Sequence, residues 1–100
     1  MIKSELFDEK LRELSDLAKV MAHPARLSIL NYLSNCTTCI SGDISDVIPL
    51  SRTTVSQHLK ELKKYGFIKG EVDGLKIHYC LDQEEITRIK SLIDEYFNQI

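Results

Sequence analysis

The stretch from Ser51 to Tyr65, SRTTVSQHLKELKKY, constrains this chain more than any other. Val55, Leu59 and Leu62 recur at i, i+4 and i+7, the spacing of one face of a helix. The opposite side carries Arg52, Thr53, Ser56, Gln57, Lys60 and Lys64, with short polar groups first and cations later. A hydrophobic strip behind a front of hydroxyl, amide and cationic groups suits a helix lying in the major groove of DNA.

The residues around this stretch fit that reading. Ser41 can cap a short helix carrying Ile44, Val47 and Ile48, which Pro49 ends. Leu50 is expected to pack inward before Ser51 caps the next helix. Two helices joined by so short a turn make a helix-turn-helix over 43–65, whose second helix is the reader. Gly66 stops the reader as a C′ glycine, with Phe67 folding back on its last turn. Two strand-like runs then flank Asp73-Gly74, a strong hairpin signal because both residues tolerate positive φ. A hairpin over 67–81 directly after a reader helix is a wing. Lys69 and Lys76 flank its tip as candidates for phosphate contact or as a solvated edge.

The flanks are helical. From about Glu5 to Ala22, Phe7, Leu11, Leu14, Ala18 and Met21 alternate steps of four and three, with Leu6 and Leu17 beside them. Pro24 suits the first turn of a second helix running to about Ser34. It is expected to bury Leu27, Leu30 and Leu33, with Arg26 projecting. Asp82 and Glu85 open the last helix as a capping-box pair. Its Ile86, Ile89, Ile93, Tyr96 and Ile100 form a seam suited to another helix. The expected fold is mainly α with a small β-hairpin wing, a winged helix-turn-helix of order α-α-α-α-β-β-α. A further strand at 38–40 would fit its β-leaning residues. One domain spans 1–100, and its helices at 1–22 and 82–100 are expected to pair two copies as a homodimer.

Charge bears on the partner. The formal net charge is −2, which at first argues against nucleic acid. Its distribution matters more: Arg52, Lys60, Lys63, Lys64, Lys69 and Lys76 face only Glu61, Glu71 and Asp73 along the same span. From Asp82 onward acids outnumber bases, so a basic face fits an acidic chain. No apolar run approaches the ~20 residues of a membrane span. The N-terminus has no signal-peptide core, so a cytoplasmic location is expected. Neither a catalytic triad, nor paired carboxylates in a cleft, nor a phosphate loop can be assembled, so no enzyme is expected.

HPARLSILNYL at 23–33, GDISDVIPLSRTTVSQHLKELKKYGFIKG at 42–70 and DGLKIHYCL at 73–81 together resemble the ArsR/SmtB family of transcriptional repressors. The resemblance covers nearly the whole chain. It implies a winged-helix homodimer that binds operator DNA and releases it when a metal ion, metalloid or thiol oxidant acts. Two regulatory sites of that family are incomplete here. At Cys39-Ile40-Ser41-Gly42-Asp43, Ser41 replaces the second thiol of a Cys-x-Cys motif, and a hydroxyl is a poor ligand for soft ions. Residues 82–100 lack the histidines that an interfacial zinc site in the last helix requires.

The three cysteines are therefore read on their own terms. Cys36 and Cys39 form a C-x-x-C, and pairing of a strand at 38–40 with the last wing strand would bring Cys80 beside Cys39. Three thiolates suit arsenite or another soft metal ion as effector. Two suit a redox or persulfide switch. Buried cysteines without a sensing role are the third reading.

For DNA reading the candidates are Arg52, Thr53, Thr54, Ser56 and Gln57 in the first two turns of the reader. Gln57 can pair bidentately with adenine, and Thr53 can touch a thymine methyl. Lys60, Lys64, Lys69 and Lys76 are phosphate candidates, and His58 is either half-buried or at a phosphate. Ser51 is read as a cap. The expected function is sequence-specific regulation of transcription, by a repressor released through a thiol-binding effector, with no cofactor required. A redox-responsive repressor or a winged-helix protein-interaction module are the alternatives.

Overall fold

A computed structural model describes residues 6–36, 44–74 and 76–100. Four helices and one hairpin follow in the order α1 (Glu9–Met21), α2 (Pro24–Ser34), α3 (Arg52–Lys64), β1 (Ile68–Asp73), β2 (Lys76–Leu81) and α4 (Gln83–Gln99). Between α2 and α3 a 3-10 turn covers Ile44–Asp46. In the described part of the short helix expected from the sequence, the backbone forms this 3-10 turn. The proposed strand at 38–40 and the Ser41 cap lie outside the described residues.

Each helix boundary has a local cause. Asp8 caps α1 by accepting Lys10 N–H at 2.8 Å, so the helix begins four residues later than its apolar pattern does. Pro24 opens α2 at its first position, where α2 itself needs no N–H. Ser51 caps α3 through Thr54 N–H at 3.2 Å. At the far end Gly66, with φ of 87°, allows Phe67 N–H to reach Leu62 O at 3.0 Å and Gly66 N–H to reach Lys63 O at 3.2 Å. That bond pair is the Schellman stop. Asp82 caps α4 through Glu85 N–H at 3.3 Å. The reciprocal half of the expected capping box is replaced, because the Glu85 carboxylate takes Arg88 Nε instead, at 3.1 Å.

The core gathers Leu17 and Val20 of α1, Ile29 and Leu33 of α2, and Ile44 and Ile48 from the turn. It is completed by Val55, Leu59 and Leu62 of α3, Phe67 and Ile68 at the wing base, and Ile89 of α4. Two expectations are corrected. Ile29 is fully buried while Leu27 is exposed, because α2 is apolar on both sides and its contacts with α1, α3 and β2 select the Ile29–Leu33 face. Leu50 is exposed because its N–H turns back to Ile48 O at 2.7 Å, which sends Ile48 inward in its place.

β1 and β2 pair antiparallel from Ile68 opposite Leu81 to Asp73 opposite Lys76, and Gly74 supplies a φ of 64° at the tip. Asp82 N–H reaches Phe67 O at 3.1 Å, closing the base of the wing against the end of α3.

α4 lies against α1. Lys10 pairs with Glu95 at 3.3 Å and Arg88 with Glu13 at 3.0 Å, so the two helices run antiparallel. Both pairs are solvent-exposed and contribute little stability. Ile86, Ile89 and Ile93 pack at home, which corrects the view that the whole seam of α4 awaits a partner. Its last turn does not: Phe97 and Ile100 are exposed.

Candidate nucleic-acid interface and thiol site

The inner face of α3 is fixed by Val55, Leu59 and Leu62, all buried. Helix periodicity then places Arg52, Thr53, Ser56, Gln57 and Lys60 outward, and all five are exposed. These residues form one continuous polar face across the first half of the helix. Thr54 is placed differently, half-buried with its Oγ1 accepting the Ser51 hydroxyl at 3.0 Å. It thus belongs to the cap of the reader as well as flanking its front.

The cations divide between helix and wing. Lys60, Lys64 and Lys69 are exposed, and the Lys64 ammonium lies 5.5 Å from the centre of the Tyr65 ring. Lys69 stands opposite Cys80 and Lys76 opposite Asp73 in the hairpin register. Lys63 and Lys64 in the last turn of α3 also complement the negative end of its dipole.

His58 does not join the exposed front. Its ring is half-buried, and Nδ1 accepts Arg26 Nε at 3.0 Å. Arg26, expected to project from α2, instead turns in, and its Nη1 donates to Val20 O at 3.2 Å. The His23 ring lies 5.6 Å from that of His58, tilted by 52°. Burial first, then the charge of Arg26 and then that of His23, push the His58 imidazole below its ordinary pKa. Nothing in the sequence announced this contact, since Arg26 and His58 are 32 residues apart.

The thiols differ from one another. Cys36 follows the end of α2, half-buried and free, its Sγ donating to Tyr32 O at 3.2 Å. Cys80 is half-buried on β2 and disulfide-bonded. Cys39 lies outside the described residues. Among the described residues no three His, Cys, Asp or Glu side chains gather where they could hold a metal ion. No described helix is long and apolar enough to cross a membrane.

A capped reader helix with a polar front, a preceding tight turn and a hairpin wing define a winged helix-turn-helix DNA-binding domain. Residues 23–69 match the model of the bacterial regulatory proteins of the arsR family. The chain is 34% identical over 73 residues to the transcriptional regulator YgaV of Escherichia coli, covering 73% of this chain and 74% of that one. It is 32% identical over 83 residues to the arsenical resistance operon repressor of Staphylococcus xylosus, covering 83% and 79%. Among solved structures, HlyU from Vibrio cholerae superposes with a TM-score of 0.68 at 28% identity, over 90% of this chain and 98% of that one. HlyU has also been solved in a reduced form.

The chain therefore belongs to the arsR family of DNA-binding transcriptional regulators, a family that is not enzymatic.

Proposed function

We propose that this protein is a homodimeric repressor, acting in the cytoplasm, whose hold on operator DNA is set by the state of its thiols. The observation that carries the thiol reading is the contrast between a disulfide-bonded Cys80 and a free Cys36. Cys39, the remaining cysteine of the sequence, is the candidate for the second thiol on chemical grounds alone and lies outside the described residues. In forming the bond, two thiols give up two protons and two electrons to an oxidant of the peroxide or persulfide class. Cys80 lies on β2, in the wing that follows the reader helix, so making or breaking its disulfide acts on the DNA-binding half of the domain. An effect of ~1–3 kcal/mol between the two states is enough to regulate.

Dimerisation has its own support. An apolar groove of about 450 Å³ lies between α1 and α4, lined by residues that include Leu14, Met21, Ile93, Tyr96 and Phe97. A second copy brings the same two helices, and an interface shared across a two-fold axis is self-complementary. It would also present two α3 helices to adjacent turns of one DNA face.

A second reading keeps Cys36 in play. Three thiolates from Cys36, Cys39 and Cys80 would suit arsenite or a soft divalent metal, and the Staphylococcus relative is named for arsenical resistance. One experiment separates the two. Reduced protein bound to a fluorescent duplex carrying its promoter is titrated with a thiol oxidant, with arsenite and with Cd(II). Under the redox reading the oxidant releases DNA, Cys80→Ser abolishes release and Cys36→Ser does not. Under the ion reading arsenite or Cd(II) releases DNA and Cys36→Ser blunts it. Unchanged affinity in every arm would overturn both.

A further inference from the structure

The contact between α2 and α3 carries an inference of its own. The Val20 carbonyl belongs to the last turn of α1, and the residue four positions on, which would supply its helical N–H, is Pro24. Proline has no N–H, so this carbonyl needs another donor. Arg26 Nη1 supplies it at 3.2 Å, placing a cation at the negative end of the α1 dipole. The same guanidinium bonds His58 in the middle of α3 through Nε. One side chain of α2 thereby links the end of α1, whose flank forms the proposed dimer groove, to the helix that reads DNA.

The bond also fixes the chemistry of the ring. Arg26 can only donate, so Nδ1 must present its lone pair, and the single proton of a neutral imidazole must sit on Nε2. Protonation of Nδ1 would remove the acceptor and set two cations at hydrogen-bond distance. His23 adds a third titratable base from the corner before α2, and the closest acid along α3 is Glu61, one turn on. Burial and the two basic neighbours all favour the neutral ring.

We propose that Arg26 is a positioning residue for DNA reading: anchored on the Val20 carbonyl, it holds His58 by Nδ1 and so seats α3. The clasp opens when His58 is protonated, so acidification loosens the reader. The proposal rests on the DNA-binding role of α3.

The test uses 15N-labelled full-length protein and the variants Arg26→Ala and Arg26→Lys. Long-range 1H–15N spectra give the tautomer and titration midpoint of His58 without DNA, and fluorescence anisotropy gives affinity for operator and for random duplex. The wild type should show an unprotonated Nδ1 at neutral pH and a midpoint lower than in Arg26→Ala. Arg26→Ala should bind operator about tenfold more weakly, the equivalent of one charge-assisted hydrogen bond, with random duplex little changed. Arg26→Lys, which keeps the charge without the fork, should not restore the wild-type tautomer. A protonated Nδ1 in the wild type, equal midpoints in wild type and Arg26→Ala, or normal operator binding by Arg26→Ala would each overturn the proposal. A wild type that binds no DNA would instead overturn the reading beneath it, while the spectra still decide whether the clasp exists.

Discussion

Arg26 Nε donates to Nδ1 of His58 at 3.0 Å, so a permanently charged side chain in α2 is bonded to an imidazole that must be neutral to receive it. This has a consequence for stability. The folded-state pKa of His58 lies below its ordinary 6.5, so on acidification the unfolded chain takes up the proton first. The contribution is intact above pH 6.5, declines as pH falls towards the lowered folded value, and levels off below it. Thermal unfolding of the wild type and of His58→Gln, followed from pH 8 to pH 5, should show the wild type losing Tm relative to the variant in that window. A difference independent of pH would contradict it.

Gly66 is held by two constraints. Its φ of 87° is strained for any residue with a Cβ, and a Cβ there would lie 3.0 Å from Glu85 Oε2. Gly66→Ala should therefore cost ~1–2 kcal/mol in urea unfolding from the backbone alone. Adding Glu85→Ala should recover only the steric part, because the carboxylate can move and the backbone conformation cannot.

The exposed front of α3 should separate base reading from charge. Gln57→Ala is expected to weaken binding to operator by ~1–3 kcal/mol while sparing random DNA. Lys60→Ala should weaken both alike and reduce the salt slope by about one. Competition assays at several salt concentrations distinguish the two patterns, and equal loss on both DNAs for Gln57→Ala would remove it as a reader.

Phe97 is 64% exposed at the edge of the groove between α1 and α4. Burying such a ring against a second copy is worth ~1.5–3 kcal/mol, and a charge in its place would resist burial. Phe97→Glu should leave the helical circular dichroism intact and shift sedimentation from dimer to monomer. Unchanged sedimentation would move the interface elsewhere.

The parts of the fold legible in the sequence were those governed by local chemistry. Ser51, the Val55–Leu59–Leu62 strip, Gly66 and Asp73-Gly74 each act through neighbours a few residues away, and the helix and hairpin they predict are present. Where several choices satisfied the local pattern, tertiary packing decided. α2 offers apolar residues on both sides, and Ile29 rather than Leu27 became core. Apolar periodicity continued past the start of α1, but the Asp8 cap set its boundary. The segment before Pro49 was too short for periodicity to separate an α-helix from the 3-10 turn observed over Ile44–Asp46. On the reader, exposure follows directly from the buried strip, so its polar front could be read in advance. The clasp could not, because a bond between Arg26 and His58 depends on how α2 crosses α3.

In the proposed dimer two copies of α3, related by a two-fold axis, read one DNA face. In vitro selection from random duplexes with the full-length reduced protein tests this most directly. Enriched sequences should be inverted repeats whose half-sites lie ~10–10.5 bp apart, or a multiple of that, the separation two such readers require. Enrichment of a single asymmetric half-site, or no enrichment at all, would contradict it.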